Sequence, residues 1–148
     1  MNLFFRKPHF KKDELDAIRQ AIEQAETKTS GEIRVFVENR CKAATALDRA
    51  ADCFLHLKME KTTHRNGVLI YVAMKDKKFA IIGDAGIHQK VGEDFWEQEK
   101  NILQQHFVAG KMITGICACI DTMGKHLQKF FPSDGEQKNE LNNDVIIG

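Results

Sequence analysis

Residues 66–82, with the sequence NGVLIYVAMKDKKFAII, determine the fold class. The run at 68–73 is apolar without alternation, which is typical of a strand covered on both faces of a sheet. A charged turn at 75–78 follows it, and residues 79–82 are apolar again. This stretch therefore predicts a β-hairpin whose first strand lies at the centre of a sheet.

Helical spacing and strand composition extend the prediction on both sides of this hairpin. We expect helices over about 11–28, 44–59, 91–106 and 112–130, and a β-branched strand over 32–38. A strand–helix–strand crossover makes 32–38 and 68–73 parallel, and the tight turn makes 79–82 antiparallel to them. The order predicts an α/β fold: a three-layer α/β/α sandwich with a mixed central sheet and about four main helices.

The two prolines, Pro8 and Pro132, bound the predicted domain. The segment between them contains no linker-like stretch, so residues 8–132 are interpreted as one domain. Residues 133–148 begin as a polar run and are interpreted as a tail. Its last apolar residues, 145–147, are candidates to dock on the domain.

Composition excludes several classes of function and location. With 22 Lys+Arg against 21 Asp+Glu, the net charge of +1 gives no general attraction for nucleic acid. The longest apolar run, 68–74, is too short to cross a membrane, and the N-terminus lacks the order of a secretory signal. We expect a monomeric cytoplasmic protein in which the four cysteines are free thiols.

The predicted topology brings three loops to one edge of the sheet. The strand directions place residues 30–32, 65–67 and 83–86 together, with Glu32, Asn66 and Asp84 as the candidate ligands. Carboxylate and amide oxygens are the ligands that Ca²⁺ and Mg²⁺ prefer. Two close carboxylates also differ in pKa, which is one route to acid–base chemistry.

Structural roles explain the same residues equally simply. Asp84 is placed to cap a helical turn, Glu32 to pair with Arg34 or Arg65, and the Asn-Gly pair to form a turn. Glu93 and Asp94 are further possible ligands, although compensation of a helix dipole accounts for both. The sequence contains no HExxH, GxSxG, GxGxxG or P-loop motif.

Three blocks of sequence carry a resemblance to a known family. They are TSGEIRV at 29–35, RNGVLIYVA at 65–73 and IIGDAGI at 81–87, and shorter matches at 107–110, 115–116, 131–132 and 139–141 follow in order. Over about residues 9–145 the chain resembles the TPM domain family, in particular its short bacterial members. The family is named for a thylakoid-lumen phosphatase, a photosystem II repair protein and a nematode receptor regulator.

The resemblance implies an α/β/α sandwich, a divalent-cation site and, for the plant member, acid phosphatase activity. Its Gly-Asp turn matches at Asp84, its Asn-Gly pair at Asn66, and the block of the short bacterial members at Glu32. We expect a TPM-like domain that binds Ca²⁺ or Mg²⁺ at these residues and supports a protein interaction or regulatory role. A metal-assisted phosphatase acting on phosphomonoesters and an interaction module without a metal site are the alternatives.

Overall fold

The computed structural model describes residues 7–133 and 141–148. Their strands form one mixed sheet in the order β3-β2-β1-β4. The strands are β1 (Glu32–Glu38), β2 (Gly67–Ala73), β3 (Lys78–Gly83) and β4 (Ile146–Ile147). The helices are α1 (Lys12–Glu26), α2 (Ala46–His56), α3 (Ala85–His88), α4 (Glu93–Val108) and α5 (Met112–Phe130). The predicted α/β class with a mixed sheet is confirmed.

The sheet has the predicted strand directions. Strand β2 runs parallel to β1 in the register Glu32↔Gly67 to Glu38↔Ala73, and β3 returns antiparallel to β2. Every residue of β2 is buried, as its continuous apolar run predicted. Strand β4 pairs in parallel with the outer side of β1 at Phe36 and Val37.

Helices cover both faces of the sheet. One face of β1 and β2 packs against apolar residues of α1, α4 and α5, such as Ile22, Leu103 and Ile120. The other face, which includes Leu69 and Tyr71, packs against α2. The alternation of side chains along each strand separates the two cores.

The helix boundaries differ from the predictions by a few residues. Helix α2 ends at His56 because Lys58, at φ 57°, leaves the right-handed region. Helix α4 begins at Glu93 and extends to Val108, later at both ends than predicted. Residues 134–140 of the predicted tail lie outside the described residues. No helix within 7–133 and 141–148 is both long and apolar enough to span a membrane.

Candidate functional site at the edge of the sheet

The loops at 30–32, 65–67 and 83–86 lie side by side at one edge, as the topology predicted. The backbone N–H of Glu32 donates to the carbonyl of Asn66 at 3.2 Å. On the other side of β2, the N–H of Asp84 donates to the carbonyl of Gly67 at 2.9 Å. Glu32 and Asp84 therefore flank the start of β2, about two strand spacings (roughly 10 Å) apart.

The carboxylate of Asp84 is buried in a bidentate ion pair. Arg65 donates from Nε at 2.7 Å and from Nη2 at 2.8 Å, and the backbone N–H of Ala85 donates at 2.7 Å. The Asp84 side chain is 4% exposed, whereas that of Arg65 is 52% exposed. The hydrogen bond to Asp84 raises the pKa of Arg65, so this guanidinium is cationic at any physiological pH.

Two backbone positions, Arg65 and Gly86, bring the loops around Asp84 close together. Arg65 adopts φ 51°, a left-handed conformation, and its carbonyl accepts from the N–H of Gly86 at 2.9 Å. A Cβ at Gly86 would lie 2.4 Å from the carbonyl oxygen of His64 and 2.6 Å from that of Arg65. The close packing of these two loops therefore fixes the position of Asp84 at the N-cap of α3.

Glu32 and Asn66 are buried beside this pair and have different partners. One carboxylate oxygen of Glu32 accepts from the backbone N–H of Leu141 at 2.7 Å. The amide nitrogen of Asn66 donates to the hydroxyl of Ser30 at 3.2 Å. Met59 and Leu141 fill the space next to Gly67, between the two carboxylates. A Cβ added to Gly67 would lie 3.3–3.9 Å from their nearest atoms.

The structure brings the three predicted residues to one edge but gives each its own protein partner. Within the described ranges, no group of three or more His, Cys, Asp or Glu side chains is arranged to hold a metal ion. Carboxylate and amide oxygens are the donor types that Mg²⁺ and Ca²⁺ prefer. Glu93 and Asp94 lie in the first turn of α4, as predicted.

A third carboxylate near this edge was missed by the sequence analysis. Glu26, the last residue of α1, accepts from the N–H of Ile33 at 2.9 Å on the side of β1 away from β2. Burial raises the pKa of Glu26 to about 8, and the nearby charge of Glu32 adds to this. A glutamate at a helix end carries no sequence signal for such a contact, because the contact depends on how α1 crosses β1.

Two other polar clusters lie away from this edge. At the opposite end of β1, Glu38 is bound by both Arg49 and the hydroxyl of Tyr71. Between α4 and α5, buried Glu99 accepts from Thr122 at 2.8 Å and lies 2.8 Å from Nδ1 of His126. Burial of this carboxyl group between the two helices raises the pKa of Glu99, and its hydrogen bonds to Thr122 and His126 oppose that effect.

Comparison with known proteins agrees with this architecture. The NMR structure of BA42 protein from the psychrophilic bacterium Bizionia argentinensis is similar at a TM-score of 0.88 and 42% identity, over 94% of this chain and 95% of that one. The N-terminal domain of cg2496 protein from Corynebacterium glutamicum has a TM-score of 0.66 at 11% identity, over 88% of this chain and 79% of that one.

A third structure, the N-terminal domain of a protein from P. gingivalis, has a TM-score of 0.65 at 12% identity, over 82% of this chain and 78% of that one. The last two similarities concern the fold alone. A comparison with curated proteins gives no significant match. The family model of the TPM domain matches residues 8–126. The chain therefore belongs to the TPM domain family.

Proposed function

We propose that this TPM domain binds a divalent cation, Ca²⁺ or Mg²⁺, at the edge formed by Glu32, Asn66 and Asp84, and that binding regulates an interaction with another protein. The observation that carries the proposal is the Arg65–Asp84 pair. A buried carboxylate is held there by an arginine whose side chain is half exposed. Among residues 7–133 and 141–148, Arg65 is its one ion-pair partner.

Arg65 occupies the charge-compensating position that a cation would need. Because Arg65 occupies both carboxylate oxygens of Asp84, it must release at least one of them when the site is loaded. Its exposed side chain can make this movement without opening the core. The ion supplies a compact double charge, and Asp84 and Asn66 supply oxygen ligands beside the rigid start of β2.

Glu32 connects the site to the C-terminal segment. Its carboxylate holds the backbone N–H of Leu141, and the side chain of Leu141 packs beside Gly67. If Glu32 turns toward the ion, this contact is lost and residues near 141 change position. The proposed regulatory signal is therefore a change of surface at Arg65 and Leu141, the two groups released when the site is filled.

The test is an amide NMR titration of the full chain with Ca²⁺ and, separately, Mg²⁺. We expect saturable shifts at 30–34, 65–68 and 83–87, together with a shift of the Leu141 amide as its hydrogen bond is lost. Asp84→Asn, which keeps a capping oxygen but removes the charge, should abolish them. Asp76→Asn is the matched control, because Asp76 also pairs with an arginine, Arg40, but in the β2–β3 turn.

Absence of localised shifts at millimolar ion would contradict the proposal, as would equal binding by Asp84→Asn. The same samples separate regulation from catalysis when they are assayed with a phosphomonoester such as p-nitrophenyl phosphate. Metal-dependent turnover that is lost in Asp84→Asn would identify the phosphatase alternative. Shifts without turnover are the result expected for a binding domain.

A further inference from the structure

Among the described residues, β3 is an edge strand of the sheet, on the side opposite β4, and this edge is open. Because Asp84 and Gly67 form a hydrogen-bonded pair, the backbone groups of Ala80 and Ile82 face β2 and those of Phe79 and Ile81 face outward. In the described part of the chain, no group forms a hydrogen bond with these outward N–H and C=O groups. Such an edge is a template for an added strand.

A groove of about 440 Å³ runs along this edge between the two helical layers. Its floor is formed by residues 77–81 of the turn and β3. Ala46 and Leu47 of α2 form one wall, and Lys100 and Gln104 of α4 form the other. Since α2 and α4 cover opposite faces of the sheet, an added strand would meet an apolar wall on one face and a polar, basic wall on the other.

The charge of the groove indicates what it would bind. The nine lining residues include three lysines, at 77, 78 and 100, and no Asp or Glu. Lys100 lies 3.8 Å from Glu97, but both side chains are about half exposed, so this contact holds Lys100 weakly. A second copy of this chain paired at β3 would place lysines against lysines, which disfavours that occupant.

We propose that the open edge of β3 binds an extended segment of a partner protein in which apolar and acidic residues alternate. The segment's main chain pairs with Phe79 and Ile81, its apolar side chains contact Leu47, which is 59% exposed, and its acidic side chains face Lys100. This assigns a surface to the protein interaction in the proposed function. This inference rests on the proposed protein interaction and not on the proposed cation site.

The probe is an acetylated and amidated peptide of about eight residues that alternates valine and glutamate. Titrated into the isotope-labelled full chain in EDTA, it should shift the amides of residues 77–82, Leu47 and Lys100. A peptide that alternates valine and lysine should not bind. N-methylation of every second peptide amide should abolish binding in one register and weaken it less in the other, since only one set of amides faces β3.

Two substitutions test the two walls, and each has a control of the same chemistry. Lys100→Glu should weaken binding about fivefold, and Leu47→Ser about threefold. Lys129→Glu and Leu55→Ser change exposed residues of α5 and α2 outside the groove, and should alter affinity less than about twofold.

Three results would overturn the inference: no localised shifts at millimolar peptide, equal effects of Lys100→Glu and Lys129→Glu, or self-association of the chain through β3 seen by sedimentation. Because the titration is made in EDTA, its outcome is independent of the cation. If the peptide binds but neither Ca²⁺ nor Mg²⁺ does, only the metal site is overturned. If a cation binds but the peptide does not, only this surface is overturned.

Discussion

Opposite ends of the sheet hold buried carboxylates in different ways. At the C-terminal end of β1, Glu38 is 1% exposed and is bound by Arg49, 21% exposed, and by the buried Tyr71 hydroxyl, with the Lys42 ammonium 3.7 Å away. At the other end, beside the start of β2, Asp84 is 4% exposed but its arginine, Arg65, is 52% exposed. An arginine–carboxylate pair thus forms a closed cluster at one end of the sheet, whereas at the other end its arginine is half exposed.

The largest effect should come from opening the closed cluster. Glu38→Gln keeps the shape but leaves Arg49 without its carboxylate inside the α2 layer, so we expect a loss of about 3 kcal/mol in the free energy of unfolding. Urea denaturation followed by circular dichroism measures this. Asp84→Asn should lose much less in the same experiment, because Arg65 is solvated once it is released. Equal losses would show that the two ends do not differ.

A methyl group at Gly86 should disturb the end of the sheet that holds Asp84. Its Cβ would lie within 2.6 Å of two backbone carbonyl oxygens, so Gly86→Ala forces the loops at 65 and 84 apart. We expect a loss of about 2 kcal/mol, as for overpacking in a core, together with loss of the cation shifts. Gly92→Ala is the control, since nothing lies within 4 Å of a Cβ there. A stable Gly86→Ala with unchanged shifts would contradict the proposed geometry.

Burial of Glu26 predicts that the stability of the fold depends on pH. Its pKa is about 8 in the folded chain against 4.5 in the unfolded chain, so between these values the folded state holds a proton that the unfolded state has lost. The free energy of unfolding therefore falls as pH rises from about 4.5 to 8.

Glu26→Gln keeps an acceptor for Ile33 and removes this dependence. Partial solvent access limits the effect, and we expect a gain of about 1–2 kcal/mol at pH 8 and little change at pH 5. Urea titrations at both pH values measure the difference. Glu97→Gln, at a side chain that is 60% exposed, is the control and should leave the pH dependence unaltered. A Glu26→Gln curve parallel to wild type would refute the assignment.

The sequence predicted three of the four strands and the converging loops because these depend on local patterns. The continuous apolar run at 68–73 and the tight turn at 75–78 fixed the strand directions, and those directions placed residues 32, 66 and 84 at one edge. A handed crossover and a short turn leave few alternatives. Asp84 as a helix cap was visible for the same reason, since capping is a local contact.

The partners of the site residues could not be predicted in this way. Arg65 and Asp84 are 19 residues apart, and Glu32 meets Leu141 across 109 residues. Sequence patterns predicted where each loop lies but not which rotamers its side chains adopt. The left-handed backbone of Arg65 and Lys58 was also not predictable, because that conformation is expected mainly at glycine. The contact of Glu26 with Ile33 likewise depends on helix packing.

The most direct test that Arg65 is an exchangeable counter-ion is the Ca²⁺ and Mg²⁺ affinity of Arg65→Gln, measured by amide NMR beside wild type and Arg49→Gln. Removing the competing cation should tighten binding about three- to tenfold, whereas Arg49→Gln should leave it unchanged. The double variant Arg65→Gln/Asp84→Asn should not bind. Unchanged or weaker binding in Arg65→Gln, or no localised shifts in any variant, would contradict the account.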